Sequence, residues 1–307
     1  MTVLLPFPVD RLAHAPAELT YEVWDGSTPL PASAGDVELF VQPYLAGVLA
    51  VEAIAAMPAL RVIQTLTAGV DHVLGSVPPG VTLCNARGVH DASTAELAVG
   101  LMIASQRGLD DYFHAHDAGR WEPTVVRSSL ADATVLLLGY GSIGAAVERR
   151  LAGFEVELIR VASRARDGVH GVDELPTILP RADVVVLLVP LTAATRGLVD
   201  AAFLARMHDD ALLVNVARGP VVDTQSLLAE TTSGRLRAAL DVTDPEPLPP
   251  GHPLWRSPGV LITPHVGGAS TAMEPRMRRL VVDQLERYAS GAPLLNVVVA
   301  GERYPGA

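Results

Sequence analysis

The run Gly139-Tyr140-Gly141-Ser142-Ile143-Gly144 follows the apolar stretch TVLLL and leads directly into AAVERRL, so a strand, a glycine-rich turn and a helix stand in succession. Few folds accept that order. The first glycine permits a tight turn, the second lets backbone approach a pyrophosphate, and the third packs helix on strand, while the helix N-terminus offers unpaired N–H groups to an anion. A dinucleotide cofactor is therefore expected, held at Gly139, Gly141, Ser142, Ile143 and Gly144.

Around this cradle, short β-rich runs alternate with helical stretches, the pattern of parallel sheets built from βαβ units. Strands are expected at residues 134–138, 156–161, 184–189, 212–216, 238–240 and 260–262, and a smaller series at 3–5, 22–24, 38–41, 62–66 and 82–84. With 307 residues and 49% hydrophobic content, two domains each burying a core are expected rather than one large one. Residues 273–288 have helical spacing and return to the first domain, making it discontinuous. The stretch 95–106 (AELAVGLMIASQ) is apolar on nearly every face, so as a helix it must be covered by core or by a second subunit. It is the expected homodimer element. The proline-rich patch at 245–253 reads as a loop.

A net charge of −11 with no block of Lys or Arg offers no footprint for nucleic acid. The apolar start is broken by Pro6 and Pro8, the one cysteine is Cys84, and no apolar run reaches the roughly 20 residues of a membrane helix. An intracellular, cytoplasmic protein without a membrane segment is expected.

In NAD-binding versions of this fold an acidic residue about 20 positions after the glycines bonds the adenosine ribose. Here the strand VELIRV ends in Ala162-Ser163-Arg164-Ala165-Arg166. A carboxylate that repels a 2′-phosphate is missing and two guanidinium groups stand nearby, so NADP is the preferred cofactor, contacted at Ser163 and Arg164, with NAD possible.

Ligands of open α/β sheets sit beyond the carboxyl ends of the strands. Arg218 follows LLVNVA, Glu246 lies in the loop after AALDV, and His265 follows VLITP. Singly, each reads as an ordinary loop residue. Together they supply a cation for a carboxylate and carbonyl oxygen, an acid to protonate that oxygen, and a carboxylate to support the acid. That set suits hydride transfer to C2 of a 2-oxo acid, with His265 as acid in reduction and base in oxidation.

The segments LTAGVDHV (66–73), AELAVGL, LLLGYGSIG, VPLTAATRGLV, LLVNVARGPVVD, AALDVTDPEPLPPGHPLW and LITPHVGGAS, in this order, resemble the D-isomer-specific 2-hydroxyacid dehydrogenases along nearly the whole chain. The resemblance implies two doubly wound parallel-sheet α/β domains, with a Rossmann cofactor domain (98–272) inserted into a smaller flavodoxin-like substrate domain (1–97 and 273–307). It implies catalytic roles for Arg218, Glu246 and His265, and substrate carboxylate binding by the backbone N–H groups of Ala68, Gly69 and Val70. Asp241 is implied to meet the nicotinamide carboxamide and Thr94 to lie near the cofactor. Further cofactor contacts are expected at Pro190, Thr195, Val216 and Gly268.

Ala162 in place of the acidic residue resembles the NADPH-preferring glyoxylate and hydroxypyruvate reductases. Glu246 argues against formate dehydrogenase, where that position carries Gln. No regulatory domain is expected after Ala307, although a short-form phosphoglycerate dehydrogenase stays open, as does a phosphite dehydrogenase. The alternative of another class is a dinucleotide-sensing, corepressor-like binding protein, which would bind cofactor without turnover. His114 and His116 are two apart and diverge on a helix, and the other histidines lack ligand spacing, so no metal is expected. Trp255 reads as packing rather than pocket lining.

Overall fold

A computed structural model describes residues 1–44 and 46–304. Leu45 and residues 305–307, assigned from sequence to the first domain, lie outside the described residues. Two compact units are present: Met1–His90 together with the chain from Thr271 onward, and Asp91–Ser270. The sequence puts these divisions at 97/98 and 272/273, the structure at 90/91 and 270/271. The physical reason is the helix Asp91–Arg107, whose Ala95, Ala98, Val99, Leu101 and Met102 pack into the core of the second unit.

In the first unit, β1 (Thr2–Leu5), β2 (Thr20–Val23), β3 (Val37–Val41), helix α1 (Gly47–Ala55), β4 (Val62–Gln64) and β5 (Thr82–Cys84) build a parallel sheet in the order β5-β4-β3-β1-β2. Apart from the edge strand β2, its strands are buried on both faces. Val3, Leu5, Leu39 and Val41 enter one core while Leu4 and Phe40 enter the other, as the two-residue period of a strand requires.

The second unit begins with α2 (Asp91–Arg107) and α3 (Leu109–Asp117), then β6 (Thr134–Leu138), α4 (Ser142–Leu151), β7 (Glu157–Ala162) and the two-residue β8 (His170–Gly171). There follow α5 (Leu175–Ile178), β9 (Val184–Leu187), α6 (Ala201–Leu204), β10 (Leu212–Asn215), α7 (Thr224–Thr232), β11 (Arg237–Leu240) and β12 (Val260–Ile262). All pairings are parallel, in the order β12-β11-β10-β9-β6-β7-β8. The strand order reverses between β6 and β9, the switch point at which open α/β sheets bind ligands. Leu136 and Leu138 face one core, Val135 and Leu137 the other.

The apolar character of residues 95–106 is explained within the unit. Ala95, Ala98, Val99, Leu101 and Met102 pack against Val135, Leu137, Val147 and Val214, and Glu96, Gly100 and Arg107 form the exposed strip. A second subunit is therefore not needed to cover this helix.

The chain returns to the first unit through α8 (Met273–Ser290), which buries Met277, Leu280, Val281 and Leu285 on one face, and through β13 (Val297–Val299). β13 pairs antiparallel with β5, so this sheet carries one antiparallel edge that the sequence pattern does not announce. Among the described residues, no helix is long and apolar enough to cross a membrane.

Candidate active site

The glycines after β6 do three different jobs. Gly139 has φ +107, and a Cβ there would come within 2.6 Å of the Leu188 and Val189 backbone just past β9, so only glycine closes the turn. Gly141 faces open space where its Cβ would project. Gly144 would place a Cβ 3.2 Å from the ring of Tyr140 and 3.3 Å from the Gly139 carbonyl. Helix α4 carries no side-chain cap at its N-terminus, leaving first-turn N–H groups directed over Gly141. An open face, unpaired donors and the positive end of a helix dipole together fit a pyrophosphate.

β7 ends at Ala162, and Ser163, Arg164 and Arg166 are exposed after it, with no carboxylate in residues 162–166. Sequence reasoning missed what stands beside them. The Tyr140 hydroxyl donates to Glu148 on α4, and Glu148 also accepts from Arg160 on β7. Arg160 holds the Glu148 carboxyl below the usual carboxylate range, and the bond to Glu148 pushes the Tyr140 hydroxyl up. The only sequence signal was an aromatic residue between two glycines of a turn.

Three catalytic candidates come from adjacent parallel strands at one edge of the sheet. Arg218 follows β10, Glu246 lies beyond β11, and His265 follows β12. His265 Nδ1 lies 2.5 Å from Glu246 Oε1. This leaves Nε2 as the ring atom available to a substrate. His265 has φ +54, an uncommon backbone conformation for a side-chain-bearing residue. Its N–H is held by the Asp241 carbonyl at 2.7 Å and the Thr263 carbonyl at 3.0 Å. Arg218 is half-buried, its Nη1 donating 2.7 Å to the Ala217 carbonyl. Behind it, a Cβ on Gly219 would meet the Thr243 carbonyl oxygen at 1.8 Å, so this glycine lets the Arg218 loop lie directly on the loop that carries Glu246.

Asp241, expected from the resemblance at the nicotinamide carboxamide, is only 2% exposed. Its Oδ1 accepts from Thr263 Oγ1 at 2.6 Å and Val266 N–H at 2.9 Å, and its Oδ2 from Gly267 N–H at 2.8 Å. The carboxylate thus fastens the loop that carries His265. Thr94 is tied to the same loop, its hydroxyl 3.2 Å from the Gly267 carbonyl. Past β9, Thr195 Oγ1 donates to the Pro190 carbonyl at 2.6 Å and accepts from Thr192 N–H, closing a rigid turn. Val216 is buried just after β10, and Gly268 is half-buried beyond His265. Trp255 is half-exposed, with its indole N–H on the Pro249 carbonyl.

Ala68, Gly69 and Val70 lie in the first unit. Here the carbonyls are taken: Thr67 O by Ala86 N–H and Thr65 Oγ1, Ala68 O by Asn85 Nδ2, and Gly69 O by Thr67 Oγ1. The N–H groups of residues 68–70 have no acceptor among the described residues. Consecutive unpaired N–H groups of this kind form a concavity for an anion.

Residues 99–267 match the family model of the D-isomer specific 2-hydroxyacid dehydrogenase NAD binding domain. The chain is 34% identical over 250 residues to a glyoxylate reductase of Thermofilum pendens, covering 76% of this chain and 73% of that one. It is 31% identical over 301 residues to the human glyoxylate reductase/hydroxypyruvate reductase, covering 92% of each. The solved NADPH-dependent glyoxylate/hydroxypyruvate reductase of Sinorhizobium meliloti, in complex with NADP and malonate, superposes with a TM-score of 0.79 at 28% identity, over 99% of this chain and 98% of that one. With the strand–cradle–helix unit and the His265–Glu246 pair at one sheet edge, these likenesses identify the chain as a member of the D-isomer specific 2-hydroxyacid dehydrogenase family, NAD(P)-dependent oxidoreductases that move a hydride between a nicotinamide and C2 of a 2-oxo or 2-hydroxy acid.

Proposed function

We propose that this protein is an NADPH-preferring reductase of small 2-oxo acids of the glyoxylate and hydroxypyruvate class. The observation that carries the catalytic assignment is the 2.5 Å contact between His265 Nδ1 and Glu246 Oε1, which orients the ring and leaves Nε2 for the reacting oxygen. Bound reduced nicotinamide supplies the hydride. His265 gives its proton to the oxygen at C2 as charge develops there, and in oxidation takes it back. Glu246 holds the ring and balances its charge. Arg218 forks onto the substrate carboxylate and carbonyl and so fixes the face presented. In the first unit, the N–H groups of Ala68, Gly69 and Val70 are the proposed carboxylate donors.

The cofactor is held by Gly139, Gly141, Ser142, Ile143 and Gly144, with Ser163 and Arg164 at the ribose and Thr94, Pro190, Thr195, Val216, Asp241 and Gly268 toward the nicotinamide. NADP is supported by the missing carboxylate at Ala162 and by the NADP-bound Sinorhizobium relative. Residues 91–270 are then the dinucleotide-binding domain and the remainder the substrate domain.

We further infer a homodimer. Support comes from Phe113, Trp121 and Val126, which are 65%, 99% and 97% exposed just beyond α2. A cytoplasmic location belongs to the same reading and rests on the single, buried, unpaired cysteine.

The test follows absorbance of NADPH and NADH with glyoxylate, hydroxypyruvate, pyruvate and bulkier 2-oxo acids. Turnover with the small acids and a lower KM for NADPH are expected. His265→Ala is expected to lower kcat by on the order of 10² to 10⁴. Tight cofactor binding without oxidation across the panel would overturn the enzymatic reading, and wild-type turnover in His265→Ala would remove that residue as the acid.

A further inference from the structure

A pyrophosphate turn needs its glycines, not the tyrosine between the first two. Tyr140 nevertheless carries more restraints than its neighbours. Its ring lies on Gly144, where a Cβ would come 3.2 Å from it. The hydroxyl is fastened to Glu148, which is bridged in turn by Arg160. Two guanidinium groups, those of Arg160 and Arg166, each lie 5.8 Å from the ring centroid. Arg166 Nη2 also donates 2.8 Å to the Tyr140 carbonyl.

Arg166 is fixed at its backbone as well. It exchanges hydrogen bonds of 2.9 and 2.8 Å with Val169 around Asp167-Gly168, with Gly168 at φ +66, a tight turn of the Asp-Gly kind. An exposed arginine ordinarily samples many rotamers and gives up that freedom on binding. Arg166 has already given much of it up. It sits four residues beyond Ala162, in the region where this fold places the 2′ position of the ribose, and one of its five donors is committed to Tyr140. Arg160 is committed to Glu148 through two donors.

We propose that Tyr140 is a positioning residue for cofactor choice: its ring and carbonyl hold Arg166 ready to take the 2′-phosphate of NADP together with Arg164, while Arg160 serves only to hold the ring. The proposal rests on the NADP preference inferred above and deepens it, since it names which guanidinium is prepared and what prepares it. Arg164 is the adaptable contact and Arg166 the rigid one.

The experiment is calorimetric titration of the full chain with adenosine 2′,5′-bisphosphate and with 5′-AMP, so that the ratio of the two Kd values reads 2′-phosphate recognition without turnover. A wild-type preference of about tenfold or more for the bisphosphate is expected from charge-assisted hydrogen bonds. Arg166→Ala is expected to remove most of that preference. Tyr140→Leu should lower it about two- to fivefold, the value of a ring–guanidinium contact at an exposed site. Tyr140→Phe keeps the ring and should restore the ratio, which loss of folding would not. Tyr140→Leu added to Arg166→Ala should lower the ratio no further, because both act through one guanidinium. An unchanged ratio in Tyr140→Leu, or additive losses in the double variant, would overturn the positioning role while leaving NADP preference intact. A wild-type ratio near one would overturn the NADP preference itself.

Discussion

At the scale of single residues, the site depends on groups that themselves move neither proton nor hydride. Gly219 is the sharpest case, because any Cβ there would meet the Thr243 carbonyl oxygen at 1.8 Å. Gly219→Ala is expected to cost about 3 kcal/mol, the upper part of the range for overpacking, and to lower Tm by several degrees; a Tm within 1 °C of wild type, at roughly the precision that resolves such a cost, would refute this contact. Asp241 is the second case. Its carboxylate binds the hydroxyl of Thr263 and two N–H groups of the loop that carries His265. Asp241→Ala leaves those donors unpaired, the buried Gly267 N–H among them, at about 1–3 kcal/mol for the group, and should reduce kcat with little change in circular dichroism. Undiminished kcat would show that the loop holds its shape without the anchor. The sequence made His265, Glu246 and Arg218 visible because each follows an apolar strand. Gly219 was hidden for the opposite reason, since its constraint comes from a loop 24 residues away in the chain.

Among elements, α4 and β7 are joined by the Glu148–Arg160 pair, and the sign of its pH dependence follows from the lowered Glu148 carboxyl. A carboxyl that is more acidic folded than unfolded contributes stability above its unfolded value, about 4.3, and loses it as pH falls through the folded value. Glu148→Gln should therefore cost about 1 kcal/mol at neutral pH, allowing for solvent screening of a partly exposed pair, and flatten the acid limb of thermal stability. Superimposable acid limbs would sink this account. The strands of both sheets were legible because apolar runs bounded by turn residues leave little choice. β8 escaped because two residues carry no period, and β13 because an antiparallel edge depends on a distant partner strand. Helix α2 was legible as a helix, but its composition could not distinguish its own core from a second subunit.

For the whole molecule, the exposed apolar residues after α2 carry the expectation of a dimer. Light scattering should give twice the 32.3 kDa of the chain, and Trp121→Glu, altering a fully exposed side chain, should yield monomers without changing the fold. A dimer unaffected by that change would move the interface elsewhere. The return of the chain to its first unit bears on how the protein is made. β13 lies against β5, Gly301 fits against the backbone of residues 80–82, and Arg303 reaches the Leu60 carbonyl. About 210 residues separate β5 from β13, so at a ribosomal pace of 5–20 residues per second the first sheet stands with one side open for roughly 10 to 40 seconds. The second unit has all of its strands by then. A nascent chain of this protein thus has every strand of its second unit before β13 emerges, and until then carries an unsealed strand β5, a template for adhesion to other chains.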